Sequence, residues 1–153
     1  MTADDVIERA GARVLLINPD ARLLMMHAFD PGEPNKPPYW ITVGGGIGRG
    51  EDTLRAAVRE LAEETGLRAS PEELTGPVFH DDEARFTFEG RFYRQTNTFF
   101  VLRCGFLEVD SSGWEDVERR SCHGYRWWSA DELAATDELF FPTELPDLIR
   151  EAV

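Results

Sequence analysis

The sequence predicts an α/β sandwich, a mixed β-sheet with helices packed outside it. Three observations predict this. Segments rich in aliphatic, β-branched and aromatic residues occur both before and after residues 52–65. The run 52–65 carries helical periodicity instead, and a second helical pattern closes the chain after Pro142. Strands interleaved with amphipathic helices bury their apolar faces by layering.

The elements follow in order. Arg13–Asn18 (RVLLIN) reads as a strand, Pro19-Asp20 as a turn and Leu23–Phe29 as the partner strand. Asp30–Tyr39 contains four prolines and a glycine, so it is a loop. Trp40–Val43 is a short strand leading into a glycine-rich stretch. From Asp52 to Thr65, Leu54, Val58 and Leu61 recur on one helical face, joined by Ala57. Asp52 or Thr53 suits the N-cap, and Gly66 suits a left-handed C-cap. Pro71–Leu74 suggests a single turn. Phe86–Glu89 and Arg91–Cys104 read as a hairpin turning at Glu89-Gly90. Ser111–Val117 is polar and reads as a loop. Tyr125–Trp128 is a strand, Ala130–Ala135 a short helix and Glu144–Ala152 the terminal helix.

The helix after the glycines carries the chemistry. At about 100° per residue, Glu60, Glu63 and Glu64 fall on one side of it, away from the apolar stripe. Carboxylates crowded at those spacings repel one another, so they call for a cation. Mg²⁺ or Mn²⁺ fits, because hard ions prefer oxygen ligands and readily accept phosphate oxygens as further ligands. A carbonyl of the glycine-rich loop, such as that of Gly45, is an additional oxygen donor. Arg59 has the planar guanidinium to pair with Glu51 and hold the loop against the helix.

Read by position, the stretch is Gly45, five residues, Glu51, seven residues, Arg59-Glu60-Leu61, one residue, Glu63-Glu64, one residue, Gly66-Leu67. It resembles the Nudix box of the Nudix hydrolases at every defined position. Trp40–Gly46 is similar to the family's strand into the box, and Trp127–Leu133 to its late strand and short helix. Val43 stands where many relatives have proline. The resemblance implies one Nudix domain over residues 1–153, folded as a Nudix-type α/β/α sandwich with a mixed sheet. It implies a metal-dependent hydrolase of a nucleoside diphosphate linked to another moiety, either a nucleotide sugar such as ADP-ribose or a nucleoside triphosphate. Glu60, Glu63, Glu64 and Gly45 would hold the metal, with Glu51 completing or orienting the set. The family also implies a further carboxylate from the loop after the hairpin, Glu118 or Glu115. Either Glu60 or such a loop acid would act as base.

For the substrate, Arg85, Arg91 and Arg94 cluster around the hairpin as phosphate receivers, and Phe29, Trp40 and Tyr93 are candidates to stack a nucleobase. Trp114, apolar in a polar loop, reads as a lid or an interface residue. His27, His80 and His123 lack metal-ligand spacing and read as structural.

A net charge of −13 and a pI near 4.6 argue against general nucleic-acid or anionic-membrane binding. The same charge repels polyphosphate, so binding should depend on metal and on locally placed arginines. No apolar run of 18 residues is present, and MTADDVIERA lacks the order of a signal peptide. The expectation is a cytoplasmic protein whose two cysteines, Cys104 and Cys122, are reduced. The hairpin and edge strands offer a surface for a homodimer. Two alternatives are set beside hydrolysis. Nudix-fold sensors bind nucleotides without cleaving them, but commonly lose box glutamates that this chain keeps. Isoprenoid diphosphate isomerases on this fold need a differently placed cysteine and acid pair.

Overall fold

The computed structural model describes residues 6–153; the start of the acidic N-terminal segment, residues 1–5, lies outside the described residues. The architecture is mixed α/β, as the sequence predicts. Its strands are β1 (Val6–Ile17), β2 (Arg22–Ala28), β3 (Tyr39–Gly46), β4 (Thr75–Phe88), β5 (Arg91–Arg103), β6 (Cys122–Ser129) and β7 (Leu139–Phe141). Its α-helices are α1 (Thr53–Thr65), α2 (Asp116–Ser121), α3 (Ala130–Ala135) and α4 (Leu145–Ala152). No helix among the described residues is long and apolar enough to cross a membrane.

The sheet runs β4-β5-β1-β2-β3-β7, with β6 paired to β2 and β1 also paired to β3. β1 lies parallel to β5 over its whole length, Val6 opposite Phe92 through Ile17 opposite Arg103. On its other side β1 meets β3 antiparallel only from Gly11 to Val14, and β2 at Ile17. β3 thus leaves β1 to pair with β2, from Met25–Thr42 to Ala28–Tyr39. That divergence opens the sheet beside the glycine-rich end of β3.

Alternation along the strands splits the core in two. Ala12, Val14 and Leu16 of β1, with Val43, Phe100 and Leu102, pack against Ala56, Ala57 and Leu61 of α1. Leu15 and Ile17, with Leu23, Met25, Phe99 and Trp128, pack against α3 and α4 through Leu133, Leu145, Leu148 and Ile149. Val43, in the position where proline is common, pairs with Val14 and lets β3 run on to Gly46.

Several elements extend beyond the sequence expectation. β1 begins at Val6 rather than Arg13, because pairing with β5 supplies the order that its polar early residues do not signal. β4 begins at Thr75 rather than Phe86; its polar, proline-containing first half is held by β5 across two irregularities in register. The expected loop Ser111–Val117 gives way at Asp116 to a helix that runs to Ser121, started by a reciprocal cap between Glu115 and Glu118. β7 has only three residues, too few for a periodic signal, and owes its order to β3. The central helix matches expectation, with the Asp52 carboxylate accepting from the Arg55 N–H at 2.9 Å and Gly66 left-handed at φ 81°.

Candidate active site

The candidate site forms where α1 faces the glycine-rich end of β3. Ala57 and Leu61 fix the helix on the sheet, which turns Glu60, Glu63 and Glu64 toward the cleft beside it. Glu60 lies directly over the backbone of Gly45. A β-carbon built on Gly45 would stand 2.5–2.8 Å from the Glu60 carboxyl atoms, so only glycine allows this approach.

Arg59 organises the acids. Its Nε and Nη2 donate to both oxygens of Glu51 at 2.8 and 2.9 Å, a bidentate fork. Nη2 also reaches the Gly46 carbonyl at 3.0 Å, while Nη1 donates to Glu60 at 3.0 Å and Glu63 at 3.3 Å. Glu51 further accepts the Gly48 N–H at 2.8 Å. These two residues therefore tie the loop to the helix, the brace that the sequence suggests. The Arg59 fork, then the Gly48 N–H, hold the Glu51 carboxyl at a pKa of about 2. The Arg59 guanidinium is correspondingly pushed upward, chiefly by Glu51.

Glu64 differs from its neighbours. It is only 4 % exposed, tucked toward β3, where the Gly44 N–H approaches it at 3.5 Å. Burial first, then the charge of Glu60, pushes its carboxyl well above the usual range, with Arg13 opposing. Glu63 is raised by burial and by Glu60, and Glu118 by burial and then by Glu60 and Glu63. Four carboxyls from two elements thus share one field. Among the described residues, no three His, Cys, Asp or Glu side chains are already arranged as a metal cage. Glu60 and Glu63 are instead engaged by Arg59.

The cleft encloses about 1160 Å³ and reaches from the box to the β4–β5 hairpin and the proline-rich loop. Of the residues singled out in the sequence, Gly45, Glu60, Glu63, Glu64, Glu118 and Arg85 line it, as do Glu115 and Phe29. Glu51 and Arg59 stand behind its wall as braces. The remaining candidates do not meet there. Trp40 is a core residue, 7 % exposed, stacked on His27 at 4.1 Å, with its indole N–H on Glu138. Its alternation on β3 sends it into the layer under α3 and α4. Arg94 pairs with Glu8, Arg91 is exposed opposite Phe88, and Tyr93 stacks on Phe86 with Arg9 above it. Trp114 is no free lid: its indole N–H donates to the Glu64 carbonyl at 2.8 Å and pins the polar loop to the end of α1. That tether brings α2, and with it Glu118, to the acids.

Sequence reasoning missed several cleft residues. Arg13 donates from Nη1 to the carbonyls of Thr42 and Gly44, both at 3.1 Å. Burial lowers its pKa, offset by Glu64 and Glu60. Its signal was a lone charge inside an apolar strand. Gln95 and Asn97, buried and bonded to each other at 2.7 Å, interrupt an aromatic strand in the same way. Leu139 and Phe141 of β7 line the cleft while remaining 44 % and 48 % exposed; nothing local marks them.

Comparison with known proteins agrees with this geometry. A family model described as the NUDIX domain matches residues 8–147. An RNA pyrophosphohydrolase from Sphingopyxis alaskensis is 28% identical over 147 residues, covering 91% of this chain and 87% of its own. Among solved structures, a MutT NUDIX hydrolase from Burkholderia pseudomallei superposes with a TM-score of 0.60 at 18% identity, covering 96% of this chain and 99% of that one. An Ap4A hydrolase from C. elegans gives 0.56 at 19%, covering 94% of each. At those identities the structural likenesses speak to fold alone.

Proposed function

Because the chain belongs to the Nudix hydrolase family and its class is pyrophosphohydrolase, we propose that it cleaves the diphosphate linkage of a nucleoside diphosphate joined to another group, with a divalent cation. The observation that carries this is the convergence of Glu60, Glu63, Glu64 and Glu118 in one cleft, behind which Arg59 and Glu51 brace the loop. The donor set fits a hard cation: it is all oxygen, with the carboxylates of Glu60, Glu63, Glu64 and Glu118 lining one cleft. Glu60, Glu63, Glu64 and the Gly45 carbonyl would hold Mg²⁺ or Mn²⁺. When bound, such an ion supplies charge neutralisation at phosphate and a more acidic water.

The protein's own residues do the rest. Glu51 keeps Arg59 in place, and Arg59 aims Glu60 and Glu63. Arg85, at the hairpin end of the cleft, receives phosphate oxygens. Leu139 and Phe141 offer an apolar surface to the base. Water attacks phosphorus, the anhydride P–O bond breaks, and the water's proton passes to Glu60 or Glu118. The leaving group departs as the phosphate or pyrophosphate on the far side of the broken anhydride bond.

A second reading follows from the relative named RNA pyrophosphohydrolase, which spans most of the chain. A 5′-triphosphate RNA end presents the same anhydride, and one terminal nucleotide can enter the cleft without the basic surface that general nucleic-acid binding requires. The test is a panel of nucleoside triphosphates, ADP-ribose, dinucleoside polyphosphates and 5′-triphosphate RNA with Mg²⁺ and Mn²⁺, products identified by mass. Metal-dependent cleavage of one class, abolished by Glu63→Gln, supports the reading. Tight nucleotide binding with no phosphate release across the panel would replace it with a sensor.

A further inference from the structure

Arg13 combines features that the chemistry above leaves unused. It stands in β1 among the buried aliphatic residues Ala12, Val14 and Leu15, opposite Gly44 of β3. Its Nη1 donates to two carbonyls of that strand, those of Thr42 and Gly44, each at 3.1 Å. The two bonds straddle a handover. Thr42 is the last residue of β3 paired with β2, and Val43 is the first paired with β1. Gly44 makes room for the arm that reaches there. A β-carbon on Gly44 would stand 2.7 Å from Arg13 Cδ and would collide with the Ala12 carbonyl. Behind the guanidinium, the Asn97 side-chain oxygen accepts from Arg13 Nε at 3.5 Å and from the Gln95 amide at 2.7 Å.

Packing alone does not call for this side chain. A charge withdrawn from water is costly, and an aliphatic residue would fill the space without that cost. What the guanidinium adds is direction. A peptide unit is planar, so holding the Gly44 carbonyl holds the plane between Gly44 and Gly45. On the other flank of Gly44, its N–H approaches Glu64 at 3.5 Å. From there the chain enters Gly45, directly beneath Glu60. Resting on the metal-dependent reading above, we infer that Arg13 is a positioning residue, which fixes the Gly45 backbone against Glu60 and Glu64 so that loop and helix present their oxygens to one cation. A role through charge alone is the competing account, since the field of Glu64 and Glu60 reaches Arg13. The two accounts differ in sign. Removing a positive charge from beside carboxylates tightens a divalent cation, whereas releasing the loop loosens it.

The test uses the full chain with Mn²⁺ alone, the free ion read by electron paramagnetic resonance in the absence of substrate. Arg13→Met removes both the donors and the charge. Its affinity for Mn²⁺ should fall about 10–100-fold, the usual worth of an orienting partner. Arg13→Lys keeps one cationic donor and should bind Mn²⁺ more tightly than Arg13→Met; compensation by charge predicts the reverse order. Melting in EDTA is recorded beside the affinities, because a side chain needed only for stability would lower the melting temperature and leave the affinity of the folded protein unchanged. If Arg13→Met does not melt cooperatively, Arg13→Gln, which keeps an amide N–H for one carbonyl, takes its place with the same expected direction. Affinity that is unchanged or tighter in the variant overturns the assignment. The two readings fail separately. A wild type that binds no Mn²⁺ sinks the metal site and the role of Arg13 with it, whereas equal binding by wild type and variant sinks only the role of Arg13.

Discussion

At the scale of the residue, the box glutamates are not equivalent. Glu51 accepts a bidentate fork and a backbone N–H, so its work is positional. Glu51→Gln, or Arg59→Lys with its single ammonium, should lower metal affinity or activity about 10–100-fold, as loss of an orienting partner does; titrating Mg²⁺ against activity checks this, and unchanged affinity and rate would show that the brace is dispensable. Glu64 behaves oppositely, because burial and Glu60 raise its carboxyl. Its folded pKa lies above the unfolded one, so the stability tied to its proton is complete below the ordinary carboxylate range. That stability drains away as pH rises through the raised value. In EDTA, melting temperature should therefore decline from pH 5 to pH 8 in wild type and decline less in Glu64→Gln. Parallel melting curves for the two proteins would contradict the assignment. Since a ligating carboxylate must be charged, metal affinity should tighten over the same rise in pH.

At the scale of the element, α1 was legible in full because capping, periodicity and the terminal glycine lie within one short stretch. β7 and the early halves of β1 and β4 were not, because pairing with a distant strand rather than local composition holds them. The polar loop shows what this means for the site. Trp114 anchors it through a single N–H to the Glu64 carbonyl. Trp114→Phe keeps an aromatic ring but removes the indole N–H, so the lost hydrogen bond alone should cost about 1 kcal/mol in stability. Thermal melting checks the cost, and activity should fall with it as Glu118 loses its place; a variant matching wild type in both would mean that α2 is held by other contacts. Gly45→Ala tests the opposite face of the site. The added methyl would enter the Glu60 carboxylate, so metal-dependent activity should fall sharply while the far-ultraviolet circular dichroism stays native. Full activity would place Glu60 elsewhere in the working enzyme.

At the scale of the whole molecule, a net charge of −13 accompanies a cleft lined by Glu60, Glu63, Glu64 and Glu118. Metal should therefore stabilise the fold as well as the reaction. Mg²⁺ at 100 times its dissociation constant should add about 2.7 kcal/mol, lost on addition of EDTA; an unchanged melting temperature would argue against a resident ion. The sequence alone determined the family, the reaction class and which acids share one side of the central helix. All of these sit at fixed spacings on one helix and its preceding loop, where helical geometry converts spacing directly into position. The tertiary structure decided the rest of the cleft. Arg13, Asp30, Glu118, Leu139 and Phe141 come from segments far apart in the chain and meet only through strand pairing and loop anchoring. It also decided that Trp40 belongs to the core, since the direction of a strand residue depends on which layer the sheet packs against each face. Chemistry written within a few helical turns can be read locally; a cleft assembled from separate strands acquires its lining only once the sheet has formed.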